Sequence, residues 1–343
     1  MARALDPATI ATVDSTGQAA EIMDLPTHLR DAVWRVDSAN LGPQDSAGLV
    51  IAGMGGSGVG AQLARAAIGD RMERPIVTVR DYTLPGWVDK DWTVLLSSYS
   101  GNTEETVACW DAATAVGARR IVVSAGGALV ERARLDKVPV IPLPGGFQPR
   151  AAVGYATVVA LEVAALAGVA PSLRDEVEAA ALLVESLADE WGPAGPEESL
   201  PKQLALALED MVPVISGSGL TAPVAYRWKC QVNENANRPA FWSEFPELDH
   251  NEIEAWGGGK TSAPFLPIFL EDPVDTSERV LRRFELTAEI IGGARRLRAR
   301  GETRLERLMS LVHLGDLVSL YVAVLAGSNP VEVPAIDRLK AGL

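Results

Sequence analysis

The pattern that most constrains the fold of this 343-residue chain is a short apolar strand that leads directly into a glycine-rich or polar loop and then into a helix. The apolar residues 49–52 predict one strand, and the glycine-rich residues 53–58 follow it. The apolar residues 92–97 predict another, and the serine- and threonine-rich residues 98–106 come next. Strands that alternate with helices indicate a parallel sheet covered on both faces. The first half is therefore predicted to be an α/β unit.

The same order returns in the second half of the chain. Its predicted elements are a strand at 212–215, a glycine-rich turn at 216–219, a helix at 224–235, a strand at 265–270, a polar loop at 271–277 and a helix at 278–290. We infer a duplicated α/β unit whose second copy has lost the serine-rich loop. One phosphate site per chain, in the first copy, follows from this interpretation.

Four segments are predicted from these patterns. They are an N-terminal helical segment at 1–47, a first α/β domain at 48–170, a helical linker at 171–205 and a second α/β domain with C-terminal helices at 206–343. The apolar stretch 156–170 contains Glu162 and is too short to span a bilayer, which needs about 20 residues. It is interpreted as a buried helix.

Composition disfavours several classes of partner. The formal net charge is -14 and the sequence pI is about 4.8, so nucleic acid and anionic membranes are not expected partners. Cys109 and Cys230 are far apart and lie in no metal-binding spacing, which predicts free thiols, no metal and no disulfide. The N-terminus lacks the apolar core of a signal peptide, so a cytoplasmic protein is expected.

The glycine-rich loop admits two interpretations. Gly53, Gly55 and Gly58 have the spacing of a dinucleotide-binding loop between a strand and a helix, and Asp81 lies at a suitable distance for a ribose contact. The same glycines also permit a tight turn with no ligand at all.

The serine-rich loop favours a phosphate over a dinucleotide. Ser98, Ser100, Thr103 and Thr106 lie between a strand and a helix start, and Gly101 permits close backbone approach. Hydroxyls and free amides at the carboxyl end of a parallel sheet form a compact anion site. A dinucleotide needs a long groove, whereas a single phosphate needs only such a cup.

Residues 228–256 are dense in amides, carboxylates and aromatic side chains. Glu234 and His250 lie in this region, and a carboxylate with an imidazole suits proton transfer and sugar-ring opening. Residue type alone also allows a solvated glutamate and a packing histidine. His28 and His313 are interpreted as packing residues.

The chain resembles the bifunctional phosphoglucose/phosphomannose isomerases of the sugar-isomerase (SIS) domain superfamily over nearly its whole length. The motifs that carry this resemblance are residues 98–106, residues 148–155, and residues 233–235 together with His250. The resemblance implies two tandem SIS-type α/β sandwiches of flavodoxin-like type. It also implies an isomerase that converts glucose 6-phosphate or mannose 6-phosphate to fructose 6-phosphate through a cis-enediol, with no metal or other cofactor.

Residue roles follow from the same resemblance. The implied phosphate-binding residues are Gly56, Ser57, Ser98, Ser100, Thr103 and Arg150. Glu234 would be the proton-transferring base, and His250 would open the ring together with Lys340. In this family the active site lies at a homodimer interface and the histidine comes from the neighbouring subunit, so a homodimer is expected.

Some features have no place in this interpretation. The glycine-rich residues 257–261 and the cations Arg295, Arg296 and Arg298 have no assigned role. Two other functions remain open, namely a non-catalytic phosphosugar-binding regulator and an amino-sugar phosphate isomerase. The preferred epimer also remains open, since glucose 6-phosphate and mannose 6-phosphate share one enediol.

Overall fold

The computed structural model describes residues 4–257, 264–340 and 342 of the chain. The strands are β1 (Leu49–Ala52), β2 (Ile76–Val79), β3 (Thr93–Ser97), β4 (Arg119–Ser124), β5 (Val140–Pro142), β6 (Val212–Gly217), β7 (Phe241–Glu244), β8 (Phe265–Glu271) and β9 (Arg295–Arg298). The helices are α1 (Pro7–Val13), α2 (Gln18–Met23), α3 (Leu25–Ser38), α4 (Gly55–Ile68), α5 (Glu104–Ala115), α6 (Gly127–Asp136), α7 (Val153–Leu166), α8 (Arg174–Trp191), α9 (Leu200–Ala207), α10 (Ala222–Asn235), α11 (Glu252–Gly257), α12 (Glu278–Ile290), α13 (Arg304–Ala326) and α14 (Pro334–Lys340). Short 3-10 helices lie at Gly69–Arg71 and Glu247–His250.

Two compact units make up the fold. The first unit is Leu25–Ala181, and the second unit combines Met1–Asp24 with Leu182–Leu343. Residues 258–261 of the predicted glycine-rich segment lie outside the described residues.

A five-stranded parallel sheet of order β2-β1-β3-β4-β5 forms the centre of the first unit. Strand β1 is buried at all four positions, as expected for an apolar run covered by helices on both faces. From β1 the chain continues to β2 on one side of the sheet, and from β3 it continues to β4 on the other side. The gap between the carboxyl ends of β1 and β3 is therefore the switch point at which open α/β sheets bind ligands.

The second unit has a four-stranded parallel sheet of order β7-β6-β8-β9, which repeats the order of the first four strands of the other sheet. This confirms the predicted duplicated α/β fold. Strands β7 and β9 are edge strands that the sequence pattern did not reveal. The three arginines without a role in the sequence interpretation lie on β9, where Leu297 points into the core and Arg296 donates to Glu271 of β8, with Nη2–Oε2 at 3.0 Å.

Two apolar helices form much of the interior. Helix α7 is buried along nearly its whole length, and its Glu162 accepts a hydrogen bond from Arg174 at 2.6 Å. This confirms the predicted buried helix. Helix α13 has the length and hydropathy of a membrane span, but that apolar stretch is wholly buried in the second unit. A capping box of Thr303 and Glu306 begins α13, and Gly327 in the left-handed conformation ends it.

Candidate active site

The glycine-rich loop is the first wall of the candidate phosphate cup. The sequence pattern predicted a helix after Gly58, but α4 begins at Gly55. Gly56 and Ser57 therefore lie in the first helical turn, where amide groups have no partner within the helix. With Met54 as an N-cap that supplies no side-chain hydrogen bond, these amides are available to an anion.

Close packing explains the glycine spacing without a dinucleotide. A Cβ atom on Gly53 would lie 2.7 Å from the carbonyl oxygen of Ser97 at the end of β3. A Cβ atom on Gly58 would lie 2.5 Å from the carbonyl oxygen of Gly53. Both positions need glycine because two backbone segments meet at the switch point.

The serine-rich loop after β3 forms the second wall. Ser98 Oγ and Thr103 Oγ1 are hydrogen-bonded at 2.8 Å, and the amide of Gly101 donates to Ser98 Oγ at 3.0 Å. Ser98 is 2% exposed, whereas Ser100 is exposed and accepts from the amide of Asn102 at 3.2 Å. Thr106, which the sequence interpretation placed among the cup hydroxyls, is buried inside helix α5. The loop thus has a fixed, hydrogen-bonded conformation.

Contacts with the residues that follow β4 hold the serine-rich loop in position. Gly101 has a φ of 69°, and a Cβ atom there would lie 1.8 Å from the carbonyl oxygen of Gly126. The side-chain oxygen of Asn102 accepts a hydrogen bond from the amide of Ala128 at 2.9 Å. Glycine is required at 101 both by the left-handed backbone and by this close approach.

Arg150 lies in the irregular loop after β5 and is only 4% exposed. A Cβ atom on Gly56 would lie 3.3 Å from Arg150 Cα, so the backbone of this loop packs against the start of α4. The first unit therefore brings the Gly56 turn and the Arg150 loop together at the carboxyl edge of its sheet.

In the second unit, Glu234 lies in the last turn of α10 and is half-buried. Three polar side chains on α10, spaced four residues apart, hold this helix against α13. Arg227 pairs with Asp316 at 2.6 Å, Gln231 donates to the same carboxylate at 3.0 Å, and Asn235 donates to Ser319 Oγ at 2.8 Å. This buried ladder fixes the rotation of α10 about its axis and hence the direction in which Glu234 points.

Sequence reasoning missed the ladder, although a signal was present. Residues 227, 231 and 235 recur at helical spacing, and Asp316 and Ser319 are polar residues within an apolar helix. Burial raises the pKa of Asp316, and the Arg227 guanidinium opposes that rise.

His250 is the last residue of the 3-10 helix Glu247–His250 and is exposed. Its neighbours anchor this turn. Leu248 is buried in an aromatic cluster, and Asp249 accepts hydrogen bonds from Thr287 Oγ1 at 2.8 Å and Arg283 Nη1 at 3.0 Å. The imidazole is thus held at the surface on a well-anchored turn.

Lys340 is the last residue of α14 and is exposed. Glu234, His250 and Lys340 thus lie on three different elements of the second unit. The candidate phosphate residues all lie in the first unit.

The other two histidines are buried packing residues, and the two cysteines are free thiols, as predicted. His28 is buried against Phe147 and Tyr155, with ring centroids 4.9 and 5.0 Å away. His313 is fully buried in α13, and both cysteines are free thiols. Burial raises the pKa of Cys109 to about 11, so this thiol stays protonated at neutral pH.

Comparison with known proteins places this geometry in a family. The profile described as "Bacterial phospho-glucose isomerase C-terminal SIS domain" matches residues 197–343. The chain is also similar to a solved hypothetical protein from Thermus thermophilus, with a TM-score of 0.75 and 17% identity over 97% of this chain and 92% of that one. At that identity the likeness supports the fold alone.

Two curated relatives are closer in sequence. A D-glucosamine-6-phosphate 4-epimerase of Sulfolobus acidocaldarius is 31% identical over 68% of this chain and 72% of its own length. A bifunctional phosphoglucose/phosphomannose isomerase of Caldicellulosiruptor bescii is 37% identical over 93% of this chain and 96% of its own length. With this identity over nearly its full length, the chain belongs to the bifunctional phosphoglucose/phosphomannose isomerase family.

Proposed function

We propose that this chain interconverts glucose 6-phosphate and mannose 6-phosphate with fructose 6-phosphate. The observation that carries the proposal is the cup formed by the serine-rich loop and the first turn of α4, in a chain whose relatives are named as isomerases of these sugars. In a protein with a net charge of -14, a phosphate needs such local donors. Arg150 would add a fixed positive charge beside them.

The proposed chemistry moves one proton between two carbons and one between two oxygens. Glu234 takes the proton from C2 of the open-chain aldose while O1 gains a proton, which forms a cis-enediol. Glu234 then returns its proton to C1 while O2 loses its own, which gives the ketose. His250 and Lys340 would open the ring by delivering a proton to the ring oxygen and accepting one from the anomeric hydroxyl. The configuration at C2 is lost in the enediol, so both epimers can use one site.

We also infer a homodimer in which His250 serves the site of the neighbouring subunit. The supporting observation is the edge strand β7, which precedes His250 and carries Phe241 and Trp242 with exposed fractions of 54% and 39%. Exposed aromatic side chains beside an unpaired strand edge are typical of a covered interface. The two free thiols support a reducing compartment, the cytoplasm.

The direct test is an assay of the purified protein with fructose 6-phosphate, with glucose 6-phosphate and mannose 6-phosphate followed separately and a chelator present. We expect both products. Absence of both products, while a phosphosugar binds clearly, would refute the isomerase and favour a phosphosugar-binding regulator.

Glu234→Gln tests the role of the base. The variant should lose exchange of the C2 proton with deuterated solvent, since the amide cannot take up the proton, and should still bind the phosphosugar. Glu209→Gln, a change at an exposed position of the same unit, is the matched control and should leave exchange intact. Full exchange in Glu234→Gln would refute the assignment.

An amino-sugar phosphate is the second candidate substrate. The favouring observation is the similarity to a protein named as a D-glucosamine-6-phosphate 4-epimerase. Incubation with glucosamine 6-phosphate, followed by separation of the products, distinguishes the two. Conversion of the amino sugar without conversion of fructose 6-phosphate would replace the first proposal with this one.

A further inference from the structure

The loop that carries Arg150 has no regular secondary structure, so its position must come from tertiary contacts. It runs from Pro144 through Gly145 and Gly146 to Arg150, between β5 and α7. Gly146 has a φ of 101°, a conformation that glycine adopts readily. A segment with two adjacent glycines has high conformational entropy when it is not held at both ends.

One hydroxyl group holds both ends of this glycine turn. Tyr99 Oη donates a hydrogen bond to the carbonyl oxygen of Pro144 at 2.9 Å and accepts one from the amide of Phe147 at 2.8 Å. Tyr99 lies between Ser98 and Ser100 in the serine-rich loop. The Tyr99 hydroxyl therefore joins the serine-rich loop to the loop that carries Arg150.

Packing carries this constraint from Phe147 to Arg150. The Phe147 ring lies 4.9 Å from the His28 ring and 6.0 Å from the Tyr155 ring, between centroids. Further along, a Cβ atom on Gly56 would lie 2.7 Å from the carbonyl oxygen of Pro149. The stretch from Phe147 to Arg150 is thus held between the aromatic cluster and the first turn of α4.

We propose that Tyr99 is a positioning residue, which sets the Arg150 loop relative to the serine-rich loop so that both reach one phosphate. This inference rests on the proposed binding of a sugar phosphate in the serine-rich loop. Tyr99 acts through its hydroxyl on the backbone of the next loop, so its loss weakens phosphate binding and leaves proton transfer at Glu234 unchanged.

Tyr99→Phe is the sharpest variant because it removes one oxygen atom and keeps the ring. We expect the Michaelis constant for fructose 6-phosphate and the dissociation constant for inorganic phosphate to rise by roughly five- to tenfold, the cost of about one hydrogen bond. The turnover number should stay within about twofold of wild type, because the lost interaction binds the substrate and the transition state equally. Unchanged values of both constants would overturn the proposal.

Tyr321→Phe is the matched control. Tyr321 is buried in the second unit, and its hydroxyl donates to the carbonyl oxygen of Trp191 at 2.7 Å. This variant should lower the unfolding temperature without weakening phosphate binding. An equal loss of phosphate affinity in both variants would reduce Tyr99 to a general structural role and refute the proposal.

A double-mutant cycle tests whether Tyr99 acts through Arg150. In an Arg150→Lys background, Tyr99→Phe should weaken phosphate binding much less than it does in wild type. Fully additive effects would contradict the proposal. Inorganic phosphate is measured directly by titration calorimetry, so the role of Tyr99 is decided even if the protein converts no fructose 6-phosphate and the proposed function fails.

Discussion

His313 is a neutral imidazole in the centre of the second unit. It has no exposed surface, and its ring lies 6.3 Å from the Trp191 ring in a stacked arrangement. Burial lowers its pKa to about 4. In the unfolded chain the same imidazole is protonated near its ordinary pKa of about 6.5.

This difference predicts the pH dependence of stability at the residue scale. Between pH 6.5 and pH 4 the unfolded chain binds a proton that the folded protein excludes, so the contribution of His313 is present above pH 6.5 and is lost as the pH falls to about 4. The free energy of unfolding falls by at most roughly 3 kcal/mol over this pH range. Replacing His313 by Leu should flatten the curve of unfolding free energy against pH in this range, as measured by urea denaturation. Equal slopes for the two proteins would contradict the prediction.

At the scale of elements, the contact between α4 and α7 depends on a glycine. A Cβ atom on Gly60 would lie 2.5 Å from Ala156 Cβ and 2.9 Å from the carbonyl carbon of the same residue. A side chain at position 60 would therefore collide with the backbone of Ala156, which cannot rotate away. The two helices pack at this distance only because position 60 has no side chain.

Gly60→Ala should therefore lower the free energy of unfolding by roughly 2 kcal/mol, the usual cost of overpacking. Gly86→Ala is the control, because nothing lies within 4 Å of a Cβ atom there and its backbone is not left-handed. That change should cost less than about 0.5 kcal/mol. Chemical denaturation of the two variants measures both values, and similar losses would contradict the role of close packing.

At the scale of the whole molecule, the two units share a topology but differ in the side chains at the switch point. In the second unit the loop after β8 has the same length as the serine-rich loop, and Ser277 is the N-cap residue of α12 as Thr103 is of α5. Asp272 stands where the first unit has Ser98. It is almost fully buried and pairs with Arg307 at 2.9 Å. An internal ion pair thus takes the place of a hydroxyl cup, and the Arg307 guanidinium is bound to carboxylates and not directed at a phosphate.

One phosphate should therefore bind per chain. Titration calorimetry with inorganic phosphate should give a stoichiometry near one, and Ser98→Ala should weaken that single site. Two equivalent sites per chain would contradict the interpretation of the second unit. The physical reason is that the buried ion pair of Asp272 and Arg307 fills the position of Ser98 and satisfies the charges that a phosphate would need.

Subunit exchange tests the inferred dimer. If His250 acts across the interface, Glu234→Gln and His250→Ala chains that are inactive alone should form mixed dimers with one intact site. Random mixing in equal amounts should then restore about a quarter of the wild-type sites. No recovery after denaturation and joint refolding would place both residues in the site of one chain or refute their roles.

The sequence alone was sufficient for the central sheet strands and for the loops that follow them. Strands such as β1 are continuous apolar runs, and the periodicity of a buried strand is a local property of the chain. The candidate phosphate loop was predictable for the same reason, since Ser98 and Thr103 lie close in sequence. Glu234 and His250 needed the family resemblance, because a single carboxylate or imidazole has no local signature.

The tertiary structure alone decided the features that depend on distant partners. Edge strands β7 and β9 are short and largely exposed, so they lack the apolar run that reveals a buried strand. The pairing of Arg227 with Asp316 joins residues 89 positions apart, and the two bonds of Tyr99 span more than 40. Such contacts form only when helices and loops pack, and no local pattern of residues specifies them.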